Sequence, residues 1–193
     1  MIDLSPMKGI RVDPLSRRVR AEAGVLWGEI DREDQAFGLA FTGGQISHTG
    51  IAGLTLGGGI GWLMRKHGLS CDNLLSADMV TAEGDLVHAS ASENPDLFWG
   101  LRGGSGNFGI VTSFEYTVHP LGPVLGGLVA FPLPEARQVL QGYPEYIKTA
   151  PDQLGTTVAF MTSPEGHPAV AIALCYAGDP DAGVKVVEPI TKL

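Results

Sequence analysis

Apolar and polar residues along this chain sort into short runs punctuated by glycine and proline. "GIRVD" (residues 9–13), "RRVRAEAGV" (17–25) and "LAFTG" (39–43) read as short strands, with a turn at Asp13-Pro14. Between the second and third, Leu26, Ile30 and Phe37 recur at helical spacing, and Gly38 is placed to end that helix. Residues 74–90, "LLSADMVTAEGDLVHAS", read as a hairpin turning at Glu83-Gly84. In "ENPDLFWGLRGG", Asn94 is expected to cap a helix, Pro95 suits its first position, Asp96 complements its dipole, and Gly103-Gly104 stop it.

"GIVTSFEYTVHP" then alternates as a strand until Pro120 ends it. A boundary in "PLGPVLGG" divides the chain into 1–120 and 121–193. Past it the pattern predicts a strand (128–133), a helix (134–150), two strands (155–162 and 169–178) and a closing helix (180–193). Strands and helices mix without regular alternation, so the expected class is α+β rather than a doubly wound sheet.

Composition narrows the function. Apolar residues make up 44% and charged ones 18%, enough for a packed core. With a net charge of −8 and no basic run, nucleic acid is not an expected partner. Cys71 and Cys175 have neither metal-ligand nor disulfide-framework spacing, and His67, His88, His119 and His167 lack zinc spacing, so no metal is expected. Two thiols and the absence of a signal-like or membrane-length apolar run point to a soluble, cytoplasmic protein. Glu29, Asp31, Glu33 and Asp34 read as a solvated helix face, and Cys71 as a small buried hydrophobe.

The chemistry lies in the glycines. Six of them, at 50, 53, 57, 58, 59 and 61, alternate with Ile, Leu and Thr in "GIAGLTLGGGIG". A flexible linker would be polar, and a helix is not expected to tolerate so many glycines. No Walker lysine follows. Gly104–Gly109 fits G-x-G-x-x-G, but with a helix before it and a strand after it, the reverse of the dinucleotide-binding order, so it reads as a tight helix-to-strand turn. For the 50–61 stretch two readings stay level: backbone passing close to a flat ligand, or backbone packed on another segment of the same chain.

The ordered blocks "GIAGLTLGGGIG", "DNLLSADMVTAEGDLV" and "ENPDLFWGLRGGSGNFGIVTSFEY" resemble the second half of the FAD-binding domain of the p-cresol methylhydroxylase/vanillyl-alcohol oxidase superfamily. Within it the chain is most similar to berberine bridge enzyme-like FAD-linked oxidases. The resemblance covers residues 2–120, and residues 121–193 resemble the start of the substrate domain more loosely. It implies FAD as cofactor, with Gly50, Gly53, Gly57, Gly58 and Gly59 along the flavin and pyrophosphate and Ile110 and Val111 near the adenine half. It implies hydride transfer from an alcohol- or amine-type small molecule to the flavin, and it leaves the catalytic residues unassigned.

The family's first phosphate loop, with its flavin-linking histidine, would precede residue 1, and most of the substrate domain would follow residue 193. The chain is therefore expected to be an inactive fragment of an active enzyme that associates through exposed apolar surface. The alternative is a non-catalytic domain that keeps the fold without the cofactor. Ile46 stands where doubly linked members carry a cysteine, and His48 does not match the anchoring histidine.

Overall fold

The computed structural model of the protein describes residues 1–164 and 166–193. It comprises two compact units, Met1–Leu121 and Gly122–Leu193. In the first, β1 (Ile10–Asp13), β2 (Arg18–Glu22), β4 (Leu74–Val80), β5 (Leu86–Ser90) and β6 (Ile110–Thr117) form an antiparallel sheet ordered β1-β2-β6-β4-β5. β3 (Leu39–Ala40) pairs separately with β7 (His119–Pro120). Strands one and two, the hairpin and the long sixth strand lie where the pattern puts them.

Inward residues of the sheet are apolar and outward ones polar, but strict alternation fails in β6. The register shifts between Asp78 and Met79, so Thr112 is left over and both Val111 and Phe114 face the core. The extra residue is satisfied locally: its Oγ1 donates to the Asp78 carbonyl at 3.2 Å, and its carbonyl accepts the Ala23 amide at 2.9 Å. A bulge of this kind is how one strand presents two out-of-phase hydrophobics to the same face. Outside, Asp78 accepts hydrogen bonds from Arg20 and from the Ser113 hydroxyl, and His88 Nδ1 lies 2.7 Å away.

Helix α1 (Trp27–Gln35) packs Trp27 and Ile30 into this core, both fully buried beside Ile51, Met79, Phe114 and Tyr116. Phe37 departs from the predicted apolar stripe. It falls beyond the end of the helix and is half exposed, while Gly38 turns the chain at φ +66°. Helix α4 (Pro95–Leu101) begins with Pro95 as expected, but Asn94 does not cap it with its side chain. Asn94 sits in the left-handed region at φ 50°, and its Nδ2 donates instead to the His88 carbonyl on β5 at 2.7 Å.

The second unit is a three-stranded antiparallel sheet of β8 (Leu125–Pro132), β9 (Leu154–Thr162) and β10 (Pro168–Tyr176), with β10 central. Helices α5 (Ala136–Ile147) and α6 (Pro180–Val187) join Phe131, Val170, Ile172, Leu174 and Tyr176 in its core. Antiparallel sheets with helices that do not alternate regularly with the strands make the fold α+β. No helix among the described residues is long and apolar enough to cross a membrane.

Candidate functional site

The glycine-rich stretch folds against the expectation that it would avoid helix. Helix α2 (Ile51–Leu56) runs through it, with Gly50 at its N-cap and Gly57 at its C-cap. Only Gly53 lies inside the helix, and the two end positions are ones that glycine tolerates well. A second short helix, α3 (Met64–His67), follows the turn.

What a methyl group would meet at each glycine divides the set. At Gly50 and Gly53 nothing lies within 4 Å, and at Gly58 only a Leu69 methyl at 3.8 Å. At Gly57 the nearest atoms are carbonyl oxygens of its own helix, from 3.3 Å. Gly59 and Gly61 are the opposite case. A Cβ on Gly59 would collide with Ser70, and one on Gly61 with the Gly43 carbonyl oxygen. Gly58 and Gly59 also hold φ +106° and +87°, where side chains are strained whatever the space. Packing therefore explains Gly59 and Gly61, and backbone conformation explains Gly58.

Gly53 is explained by neither. Its φ is not positive, its surroundings are open, and glycine inside a helix costs about 0.8–1 kcal/mol relative to alanine. The fold of this chain has no use for it.

Small buried polar groups fix the stretch from behind. The Ser70 hydroxyl, fully buried, donates to the Thr42 carbonyl at 2.7 Å, while the Ser70 and Cys71 amides bond the Gly59 and Gly58 carbonyls at 2.9 Å each. Thr42 Oγ1 donates to the Gly68 carbonyl at 2.7 Å. Asn73 Nδ2 donates to the carbonyls of His67 and Leu69, and its Oδ1 lies 2.8 Å from His119 Nε2. His67 and His119 stack face to face with centroids 3.9 Å apart. Burial, then the neighbouring His119 and Lys66, depress the His67 imidazole to about 4, so the pair is neutral at pH 7. No local pattern announces this pairing, because the two histidines stand far apart in sequence.

The Gly104–Gly109 segment is the tight turn its context predicts, a 3₁₀ turn at Ser105–Phe108 that packs beside α2. Gly109, at φ +140°, leads into β6, where Ile110 is half-buried opposite Val80 and Val111 is buried opposite Met79. Ile46, Ser47 and His48 are exposed on the loop before Gly50. Cys71 is 5% exposed and burial pushes its thiol up, as expected of a small hydrophobe.

The acidic face of α1 is not uniformly solvated. Asp34 is 1% exposed and neither of its oxygens finds a partner among the described residues. Burial, with Asp31 and Glu33 nearby, pushes its carboxyl up to about 7, and burial alone takes Asp31 to about 6. Asp34 stands seven residues after Trp27, on the same buried face, a placement that helical spacing from the apolar positions would have revealed.

Residues 1–90 match the FAD binding domain family. Over 98% of its length the chain is 36% identical to an FAD-linked oxidoreductase of Dictyostelium discoideum, covering 41% of that protein. Over 63% of its length it is 42% identical to the (R)-6-hydroxynicotine oxidase of Paenarthrobacter nicotinovorans, covering 26% of it. Among solved structures, 6-hydroxy-D-nicotine oxidase from Arthrobacter nicotinovorans superposes with a TM-score of 0.88 at 32% identity, over 97% of this chain and 42% of that one. A BBE-like protein of Arabidopsis thaliana superposes with a TM-score of 0.91 at 27% identity, over 100% and 41%. The chain thus spans about two fifths of the length of the relatives that match it throughout.

Proposed function

Since this chain belongs to the FAD-linked oxidoreductases, we propose that it forms one wall of an FAD site in an enzyme that oxidises an alcohol- or amine-type carbon of a small molecule. FAD, when bound, supplies the hydride acceptor for that oxidation. The single observation that carries the reading is Gly53, whose missing side chain leaves an open face of backbone that the chain's own packing does not require. Gly50 and Gly57 extend the same strip of side-chain-free backbone, the buried Gly58 and Gly59 close it, Gly59 against Ser70, and the backbone of Ile110 and Val111 would approach the adenine half. The glycines fit a flat, extended cofactor: they offer contact area and hydrogen-bonding backbone, and no side chain.

The rest of the chain holds that strip still. The Ser70 and Cys71 amides donate to the Gly59 and Gly58 carbonyls, so those two carbonyls do not have to be satisfied by water, while Ser70, Thr42 and Asn73 side chains brace the segments behind them. Ile46 is chemically inert, so no covalent attachment forms at that point.

The alcohol-or-amine class is supported by relatives named for 6-hydroxy-D-nicotine and for chitooligosaccharide as oxidase substrates. The chain's two cysteines are free thiols, in keeping with a reducing, cytoplasmic setting. Its exposed apolar residues, Ile46 and Ile60 among them, favour self-association. The test is to purify the whole protein and record its visible spectrum, then mix it anaerobically with amine and alcohol panels. A bound flavin that bleaches with one panel supports the reading. A colourless protein that takes up no added FAD overturns it and leaves a non-catalytic domain.

A further inference from the structure

Two hydroxyls in the core meet with no charged group between them. Thr55, in helix α2, and Tyr116, in strand β6, are both fully buried, and Thr55 Oγ1 lies 2.9 Å from the Tyr116 hydroxyl. Sixty-one positions separate them in sequence. Helical threonines commonly turn their hydroxyl back onto the preceding turn of the same helix. Thr55 reaches across to the sheet instead. The Tyr116 ring cannot follow if the helix moves, because Phe41 and Phe114 flank it with centroids 4.6 and 5.9 Å away, and Trp27 backs Phe41 at 5.1 Å.

Helical geometry turns this bond into a rotational pin. Gly53 precedes Thr55 by two residues, so at 3.6 residues per turn it faces about 200° around the helix axis, away from the core and onto the open strip. A rotation of α2 by about 20° would carry the Gly53 Cα, on a cylinder of about 2.3 Å radius, through about 0.8 Å. Displacements of that size matter for a ligand held by backbone groups. The side-chain contacts of Ile51 and Leu56 are non-directional and tolerate such a rotation far better than a hydrogen bond does. The Ile51 amide, donating to the Val25 carbonyl at 3.0 Å, anchors the N-terminal end of the helix, and Thr55–Tyr116 is the directional contact of its last turn.

We propose that Thr55 and Tyr116 are positioning residues for the flavin: their buried hydrogen bond sets the rotation of helix α2, and with it the backbone surface that Gly50, Gly53 and Gly57 present. The inference rests on the FAD reading above. Neither residue touches the cofactor; they act through the helix.

The experiment compares Thr55→Val, Tyr116→Phe and the double variant in the whole, FAD-loaded protein. Each single change strands one buried hydroxyl and should lower the melting temperature. The double change replaces both partners with apolar groups of similar shape, so the melting temperature should return towards wild type. FAD affinity should not return with it. Thr55→Val and the double variant alike should release FAD about three- to tenfold more readily, as expected for one net hydrogen bond. They should also shift the visible flavin spectrum and speed amide exchange across residues 53–58. If affinity recovers in step with melting temperature, or if FAD binding, spectrum and exchange match wild type throughout, the bond is merely structural and the inference is overturned. Wild-type protein that binds no FAD would defeat the flavin reading itself, and the inference with it.

Discussion

Replacing Gly53 with alanine separates what the fold needs from what the cofactor needs. The added methyl group meets nothing within 4 Å, the backbone φ is already compatible, and the site is exposed. Removing glycine from a helix interior restores about 0.8–1 kcal/mol of propensity, with the unfolded chain losing entropy in the same direction. The helix is only six residues long, so part of that gain will be muted. A net stabilisation of about 0.5–1 kcal/mol is expected, or a rise in melting temperature of about 1–4 °C for a chain of this size. FAD retention should move the other way, because the methyl group stands on the strip the cofactor is to occupy.

Thermal melts of wild type and Gly53→Ala, paired with bound flavin per chain after gel filtration of the whole protein, read both effects. Gly59→Ala is the contrast: it should lose stability by about 2 kcal/mol or more through its clash with Ser70 and its positive φ, and lose flavin only as a consequence. Gly53→Ala protein that is more stable and keeps its full flavin complement would refute the reasoning. So would one that loses both together.

Other outcomes follow from the buried titratable groups and the thiols. The Asp34 carboxyl titrates at about 7 when folded and near 3.8 when unfolded, so the folded state holds the proton more tightly. Its share of the stability should therefore fall as pH rises from about 4 to 7, by about 4 kcal/mol, alongside a share of the same sign from Asp31 and against an opposing share from His67. The difference between wild type and Asp34→Asn in melts across the range should carry that trend. For His67 the sign is opposite on the acid side: the folded imidazole resists protonation, so stability should drop as pH falls from about 6.5 towards 4. His67→Phe, which keeps a stacked ring, should blunt that drop. Cys71 should resist a thiol reagent under native conditions and react freely in denaturant; rapid native labelling would contradict its burial. Proteolysis and mass spectrometry of the whole protein should find no flavin-bearing peptide from residues 40–75.

Much of the fold was legible in the chain because its strands alternate and its turns carry glycine and proline at the required places. The hairpin at Glu83-Gly84 and the helix opened by Pro95 are local facts with local signals. The misses have different causes. Asn94 was drawn off its capping role by a carbonyl on β5. The acidic run on α1 hid Asp34 because charge composition suggested solvent, whereas its spacing from Trp27 put it inside. In the glycine stretch, residue spacing alone could not divide ligand from packing; that took the surroundings of each Cα, which assign Gly59 and Gly61 to packing and leave Gly53 over. Thr55 and Tyr116 carried no sequence signal at all, since neither a helical threonine nor a strand tyrosine is unusual.

The crossing of the chain at Gly43 and Gly61 has a bearing on how sequences of this type drift. There the two backbones lie so close that no side chain fits, whatever the protein does for a living. Selection for folding alone will hold Gly61, in working enzymes and in descendants that have lost their chemistry. Gly53 is held only while something lies against it; once nothing does, mutation to alanine spreads without penalty. In a lineage that had abandoned the flavin, position 53 should change first and position 61 last. The pair thus works as a two-channel recorder, one residue reporting that the domain still folds and the other that it still has a cofactor to hold.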